Sequence, residues 1–272
     1  MRALAVVFGL LGGGCAPWPA PPAAVGDGQA ATARLHGHND YLQPQPLRTA
    51  LALGLGSVEA DVFLVDGELR VGHERWQLRP GRTLRSLYLE PLQAHLVANG
   101  GRVRADGQPF VLLVDIKADA AAVYHQLRKE LAAFAPMLTR FVEGRVEPGA
   151  VTVLLSGDRP RERVAAESVR LCALDGRLAD LAAAVPPPVA LMPWISDAWA
   201  KVSDWTGSDE LLPAEVARLR ALVEQAHAQG RELRFWGAPD RVEAWGALFD
   251  LGVDRIGTDR PAAAAAFLRQ AR

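Results

Sequence analysis

Arg34–Glu74 reads RLHGHNDYLQPQPLRTALALGLGSVEADVFLVDGELRVGHE, and the order of segments within it decides the fold. A short strand cue, Arg34–Gly37, runs into His38, and a helix-forming stretch, Leu47–Leu53, follows. SVEADVFLV, at 57–65, then has the β-branched, apolar character of a buried strand and stops at a tight Asp66-Gly67 turn. Strand, helix, strand is the repeating unit of a parallel sheet. Residues two apart on a strand point to one side. Glu59 and Asp61 therefore share a face, and so do His36 and His38 if the first strand stays extended. Two carboxylates facing one way are costly to bury without a cation between them. Alone, the pair is as readily a salt-bridged strand end. His73, just past the turn, and Asp115, in a later strand, tip the reading toward a metal site.

The same alternation continues downstream. Strands are expected at Ser57–Phe63, Phe110–Ile116, Ala150–Leu155, Val169–Ala173, Val189–Pro193, Glu232–Trp236 and Arg255–Gly257, with helices between them over Ala120–Phe134, Arg161–Glu167, Leu178–Ala184, Pro213–Gln229, Arg241–Leu251 and Pro261–Gln270. Eight strands with intervening helices predict an α/β fold, a (β/α)8 TIM barrel, with an open doubly wound sheet as the alternative. No G-x-G-x-x-G follows the first strand, which weakens the dinucleotide-binding form of that alternative. Barrel enzymes keep their chemistry where strands end. By that rule His38, Asp115, Lys117, Ser156, Trp194, Trp236 and Asp259 all fall at one mouth. Two stretches, Glu74–Gln108 and Trp194–Leu212, are expected to form rim or lid segments.

The chain has 272 residues, half of them apolar, and a formal net charge of −1. That is enough for one large core and gives no electrostatic footprint for nucleic acid. Cys15 and Cys172 alone make no disulfide framework. Arg2 and the apolar run Leu4–Leu11 read as a signal segment, too short to span a bilayer. LLGGGCA, which contains Cys15, resembles a bacterial lipoprotein signal, which implies an exported, membrane-anchored protein of the cell envelope. The expected organisation is a signal segment over 1–15, a Pro/Ala-rich tether over 16–32 and a barrel domain over 33–272.

Three blocks carry a likeness to a known superfamily. HNDYL at His38–Leu42 is similar to the histidine-asparagine segment of eukaryotic phospholipases C. VEADVFLVDGELRVGHE resembles the E-x-D, turn, histidine block of the superfamily that contains glycerophosphodiester phosphodiesterases and phosphatidylinositol-specific phospholipases C. RFWGAPDRVEAWGALFDLGVDRIGTDRP, near the end, resembles the closing block of the glycerophosphodiesterases. In detail the chain looks like the "altered inheritance of mitochondria" branch. The resemblance implies His38 and His73 as an acid/base pair, Glu59, Asp61 and Asp115 as metal ligands, and Asn39 as a further ligand. Whether His36 or His38 matches the family histidine stays open, although the following asparagine favours His38. It also implies a hydroxyl of the substrate as nucleophile, a cyclic phosphate first, and water second.

The residue types fit that chemistry independently. A phosphodiester repels hydroxide and leaves as a poor alkoxide, so its cleavage needs charge neutralisation and proton transfer. Carboxylate oxygens suit a hard divalent ion, Mg²⁺ or Ca²⁺. Histidine titrates near neutrality and can take one proton and return another. Lys117 adds positive charge near the phosphorus. Ser156, Trp194 and Trp236 are candidate substrate contacts. The expected function is a metal-dependent phosphodiesterase acting on a small glycerophosphodiester or phospholipid head group, touching the membrane through its lipid anchor. A barrel lipoprotein that binds a phosphorylated ligand without turnover is the alternative. A metal-free enzyme, with an arginine in place of the ion, ranks last because no basic residue stands among Glu59, Asp61 and Asp115 in the sequence.

Overall fold

The computed structural model describes residues 27–271. The expected signal segment and Cys15 lie outside them. Within them, Asp27–Thr32 forms a helix, α1, with Ala31 and Thr32 buried, so the tether expected over 16–32 does not run through its last six residues.

Twelve strands follow: β1 (Leu35–Gly37), β2 (Ser57–Val65), β3 (Glu68–Val71), β4 (Phe110–Ile116), β5 (Arg140–Val142), β6 (Arg145–Glu147), β7 (Val151–Gly157), β8 (Val169–Arg170), β9 (Ala173–Gly176), β10 (Trp194–Ala198), β11 (Glu232–Trp236) and β12 (Arg255–Thr258). Eight of them are parallel and lie in the order β1-β2-β4-β7-β9-β10-β11-β12, with β12 returning to β1. The sheet is thus closed, a TIM barrel, and the open-sheet alternative falls. Helices α2 (Arg48–Leu53), α3 (Glu90–Ala98), α4 (Ala120–Ala133), α5 (Arg161–Ala165), α6 (Leu178–Leu181), α7 (Pro213–Ala228), α8 (Val242–Asp250) and α9 (Pro261–Ala271) intervene, and α1 lies against α9. β4 reads FVLLVDI because both its faces are covered, the outer by helices and the inner by the barrel core.

Two expected strands shift. The fifth barrel strand is Ala173–Gly176, not Val169–Ala173; Val169–Arg170 instead pairs antiparallel with β5 in a small second sheet. The sixth is Trp194–Ala198, not Val189–Pro193. In both places the sequence puts an inward-facing polar residue, Asp175 or Ser196, where an apolar run would signal a strand. Those two side chains satisfy each other inside the barrel, Ser196 Oγ donating to Asp175 Oδ1 at 2.6 Å.

The small sheet β6-β5-β8 closes the N-terminal end. Phe141 and Val146 pack with Val111, Leu113, Leu154, Ala173, Ala190 and Trp194 in one dry cluster, so the interior is open toward the other end. The lid expectations also change. Trp199 and Trp205 are buried, with Trp199 edge-on to Phe235 at 5.8 Å, and Tyr88, Leu89 and Leu92 of the 74–108 stretch are core residues. No helix among the described residues is long and apolar enough to cross a membrane.

Candidate active site

Glu59, Asp61 and Asp115 converge at the C-terminal mouth. β2 and β4 run parallel with Asp61 opposite Asp115, and one carboxylate oxygen from each of the three residues lies within 4.8 Å of the others. Gly157, opposite Ile116 on β7, makes room for this. Its φ is +66°, and a Cβ there would stand 2.3 Å from Asp115 Oδ1. Burial, with the charges of Glu59 and Asp61, pushes the Asp115 carboxyl up to about 6 despite Lys117 beside it. Asp61 is raised for the same reasons, burial first.

Contrary to the sequence expectation, cations do stand among these acids. Lys117 Nζ lies 2.9 Å from Asp61 Oδ2 and 3.3 Å from Asp115 Oδ1. Arg234, on β11, donates to Glu59 Oε2 at 2.7 Å and holds the Glu59 carboxyl far below its usual range, overcoming the effect of burial. Arg234 had a local signal that went unread. Glu232 and Arg234 alternate with Leu233 and Phe235, the same period-2 argument that singled out Glu59 and Asp61.

The β2–β3 hairpin brings His73 back over the site. Asp66 and Gly67 both take positive φ, 52° and 78°, as a tight two-residue hairpin turn requires. His73 Nδ1 lies 2.8 Å from Asp61 Oδ2; a carboxylate only accepts, so Nδ1–H donates and Nε2 is left for other work. His38 is held alike by Asp259, at 2.8 Å. Burial would lower its pKa, but the Asp259 hydrogen bond and the Glu59 and Asp259 charges raise it overall. Between the two imidazoles runs a continuous chain of contacts. Asn39 Nδ2 is 3.2 Å from His38 Nδ1, and the Tyr41 hydroxyl lies 2.6 Å from Asn39 Oδ1 and 2.8 Å from Asp61 Oδ2. Asn39 adopts the left-handed conformation at φ 46°, one asparagine tolerates. Tyr41 carried no sequence signal of its role.

His36 sits elsewhere. It is fully buried, its Nε2–H donating to Glu59 Oε2 at 3.2 Å while Nδ1 accepts from Ser57 Oγ at 2.9 Å. Burial and Arg234 push it down to about 3, so it is neutral and has no access to a substrate. Trp194 is not at the mouth either. It opens β10 at the closed end, wholly buried and edge-on to His36 at 6.0 Å, because the strand begins where the sequence reading ended it. Trp236 and Ser156 do lie at strand ends facing the opening. Ser156 Oγ donates to Asp175 Oδ2 at 3.0 Å, and Trp236 is covered by the Arg177 guanidinium at 4.7 Å.

Whether the acids suit a cation is tested by their unused atoms. Asp61 Oδ2 takes contacts from Tyr41, His73 and Lys117, yet Asp61 Oδ1 is buried and has no hydrogen-bond partner. A bare buried carboxylate oxygen costs about 1–3 kcal/mol or more. An all-oxygen donor set around it fits a hard divalent ion.

Comparison with known proteins follows this geometry. Residues 28–173, which carry His38, Glu59, Asp61, His73, Asp115 and Lys117, match the model of the AIM6-like phosphodiesterase domain. The chain belongs to the AIM6-like phosphodiesterase family. It is 32% identical over 257 residues to the altered inheritance of mitochondria protein 6 homolog of Arthroderma benhamiae, covering 83% of this chain and 80% of that one. It is 30% identical over 264 residues to altered inheritance of mitochondria protein 6 of Eremothecium gossypii, covering 83% and 67%. Among solved structures, a phosphodiesterase of Oleispira antarctica bound to the product sn-glycerol-3-phosphate superposes with a TM-score of 0.51 at 13% identity, over 89% of this chain and 98% of that one. This last likeness is one of fold. Arg234, Trp236 and Asp259 lie beyond the part matched by the AIM6-like model, on the strands that complete the barrel.

Proposed function

We propose that this AIM6-like protein is a metal-dependent phosphodiesterase acting on a glycerophosphodiester or phospholipid head group. The observation that carries the reading is Asp61 Oδ1, buried and bare beside Glu59 and Asp115. Glu59, Asp61 and Asp115 would hold the ion, with Asn39 at the rim. Bound there, Mg²⁺ or Ca²⁺ would neutralise a non-bridging phosphate oxygen.

The chain's own groups supply the rest. His38 and His73 each spend Nδ1 on a carboxylate and present Nε2, which fixes one tautomer for both. One imidazole takes the proton of an attacking hydroxyl as its oxygen bonds to phosphorus. The other returns a proton to the leaving oxygen as the old P–O bond breaks. Each such transfer is worth about 10²–10⁴-fold. Lys117, anchored between Asp61 and Asp115, offsets charge on the phosphoryl oxygens. His36 positions Glu59 from below, without touching substrate.

One observation favours the metal-free reading. Lys117 and Arg234 already neutralise part of the acidic charge. Hydrolysis of a phosphodiester panel with and without EDTA separates the two. The proposal expects activity that EDTA abolishes and that His73→Ala lowers by about 10²–10⁴-fold. Activity untouched by EDTA would transfer the role to Lys117 and Arg234, and activity untouched by both would end the reading. Export with a lipid anchor on Cys15 belongs to the same proposal, supported by LLGGGCA. Cys15→Ala is expected to release the protein from the membrane fraction of a bacterial host, and retention there would reject the anchor.

A further inference from the structure

Across the mouth from His38, a second set of charged side chains is left over by the proposed chemistry. In the closed order, β9 lies four strands from β1, on the opposite side. Arg177, just past β9, reaches over the opening. Its Nη1 donates to Asp175 Oδ2 at 2.9 Å, its Nη2 to Ser156 Oγ at 3.2 Å, and its guanidinium covers the Trp236 ring. Arg159 stands just past β7, the strand paired with β9, and the Arg177 charge, after burial, lowers its pKa. Arg159 donates Nη1 to Gly157 O at 3.0 Å, but its Nε is buried without a partner, and no carboxylate pairs with it among the described residues.

The nearby acids are all engaged. Asp175 is fully buried, and both its oxygens are used, by Ser196 on one side and by Ser156 and Arg177 on the other. Asp180 accepts from Arg161 and from the Arg177 backbone. Arg159 therefore stands beside a second cation with no carboxylate bonded to it among the described residues, only the more distant charges of Asp175 and Asp180, and with a polar atom stripped of water, an arrangement that an anion would complete. The flat Trp236 face walls one side. Asp115, Ser156 and Asp175 stand on adjacent strands, so Arg177 is about two strand spacings, roughly 10 Å, from the Asp115–Lys117 end of the site.

We propose that Arg159 and Arg177, walled by Trp236, form a second anion subsite that takes a phosphomonoester group carried by the substrate. Resting on the phosphodiesterase reading, it narrows the substrate to a phosphodiester bearing a second phosphoryl group about 10 Å from the one cleaved. Arg177 is already paired with Asp175, so Arg159 supplies the unpaired charge and Arg177 the forked donors, toward a phosphomonoester that carries a charge of nearly two at neutral pH.

The test is calorimetric and independent of turnover. A linear bisphosphate whose carbon chain spans about 10 Å, and the matching monophosphate, are titrated into the full chain at fixed ionic strength. The bisphosphate is expected to bind at least about tenfold more tightly, the worth of one added charge-assisted contact. Arg159→Gln, checked for native folding by circular dichroism, is expected to cut that ratio to about threefold or less. Arg161→Gln, which removes the same charge from a residue paired with Asp180, is expected to keep it. A ratio near one in the native chain overturns the subsite. So does a ratio that survives Arg159→Gln, or one that falls equally in Arg161→Gln. A chain that shows the preference but cleaves no diester keeps the subsite and loses the proposed reaction.

Discussion

Glu59 shows how much of the site depends on one distant partner. It is buried, ionised and held by Arg234 on the far side of the barrel sequence, 175 residues away. Breaking a buried pair by removing one member leaves the other charge uncompensated, at about 3–5 kcal/mol. Arg234→Met is expected to lower the unfolding free energy by about that amount in urea titrations. A loss under about 1 kcal/mol would mean that Glu59 is neutral or solvated there. Gly157→Ala makes a different kind of test. The added methyl would collide with Asp115 Oδ1 and occupy a left-handed position, so catalysis and divalent affinity are expected to fall together, by at least about tenfold. Native affinity in that variant would show that Asp115 is free to move. Cys172, by contrast, is inert: burial pushes its thiol up to about 12, and maleimide labelling of the folded protein at that residue is expected to be absent.

At the level of single elements, the β2–β3 hairpin is the device that adds His73 to a site otherwise built from barrel strands. Gly67 has open space around it, so Gly67→Ala meets no clash, only the strain of φ +78°. About 1–2 kcal/mol of stability is expected to go, with a slower rate if the hairpin loosens over Asp61. Helix α7 supplies a pH test well away from the chemistry. His227, in its last turn, bonds Asp254 at 2.9 Å, and that hydrogen bond raises its pKa above the ordinary 6.5. The folded state therefore binds this proton more tightly than the unfolded chain does. The gain is fully present below pH 6.5 and vanishes as the pH climbs through the raised value. Because His227 is partly exposed, the gain is screened to about 0.5 kcal/mol. His227→Gln is expected to lower Tm at pH 5.5 and to leave it nearly unchanged at pH 8.5, as thermal melts at the two pH values would show.

For the molecule as a whole, the proposed divalent site would couple ion binding to folding. An ion that binds only the native state would add about 2.7 kcal/mol at a hundred times its Kd, so Mg²⁺ or Ca²⁺ is expected to raise Tm and EDTA to reverse the rise. Asp61→Asn is expected to abolish the effect, and a Tm indifferent to both ions would count against the acidic triad as a site. The barrel could be read in the sequence wherever a strand was buried on both faces by apolar residues. Phe110–Ile116 falls where expected for that reason, and Glu232–Trp236 does so through the alternation of Glu232 and Arg234 with Leu233 and Phe235. It could not be read where the barrel interior turned polar, at Asp175 and Ser196, since a local apolar pattern cannot anticipate two side chains that satisfy each other across strands. Glu59 and Asp61 were legible because their spacing is local, and Asp115 because it ends an apolar strand. The alternation around Arg234 marks it as inward-facing, but only closure shows that Glu59, 175 residues away, is its partner, and nothing in the sequence marks Tyr41.

That closure makes the order of assembly part of the chemistry. His38 takes its orienting carboxylate from Asp259, 221 positions later, and the short β1 gains its second neighbour only when β12 arrives. A ribosome-bound chain that has not yet emitted its final fifth would carry the acids, Lys117 and an oriented His73, but not the second oriented imidazole. Competence would then switch on late and all at once, as the two ends meet.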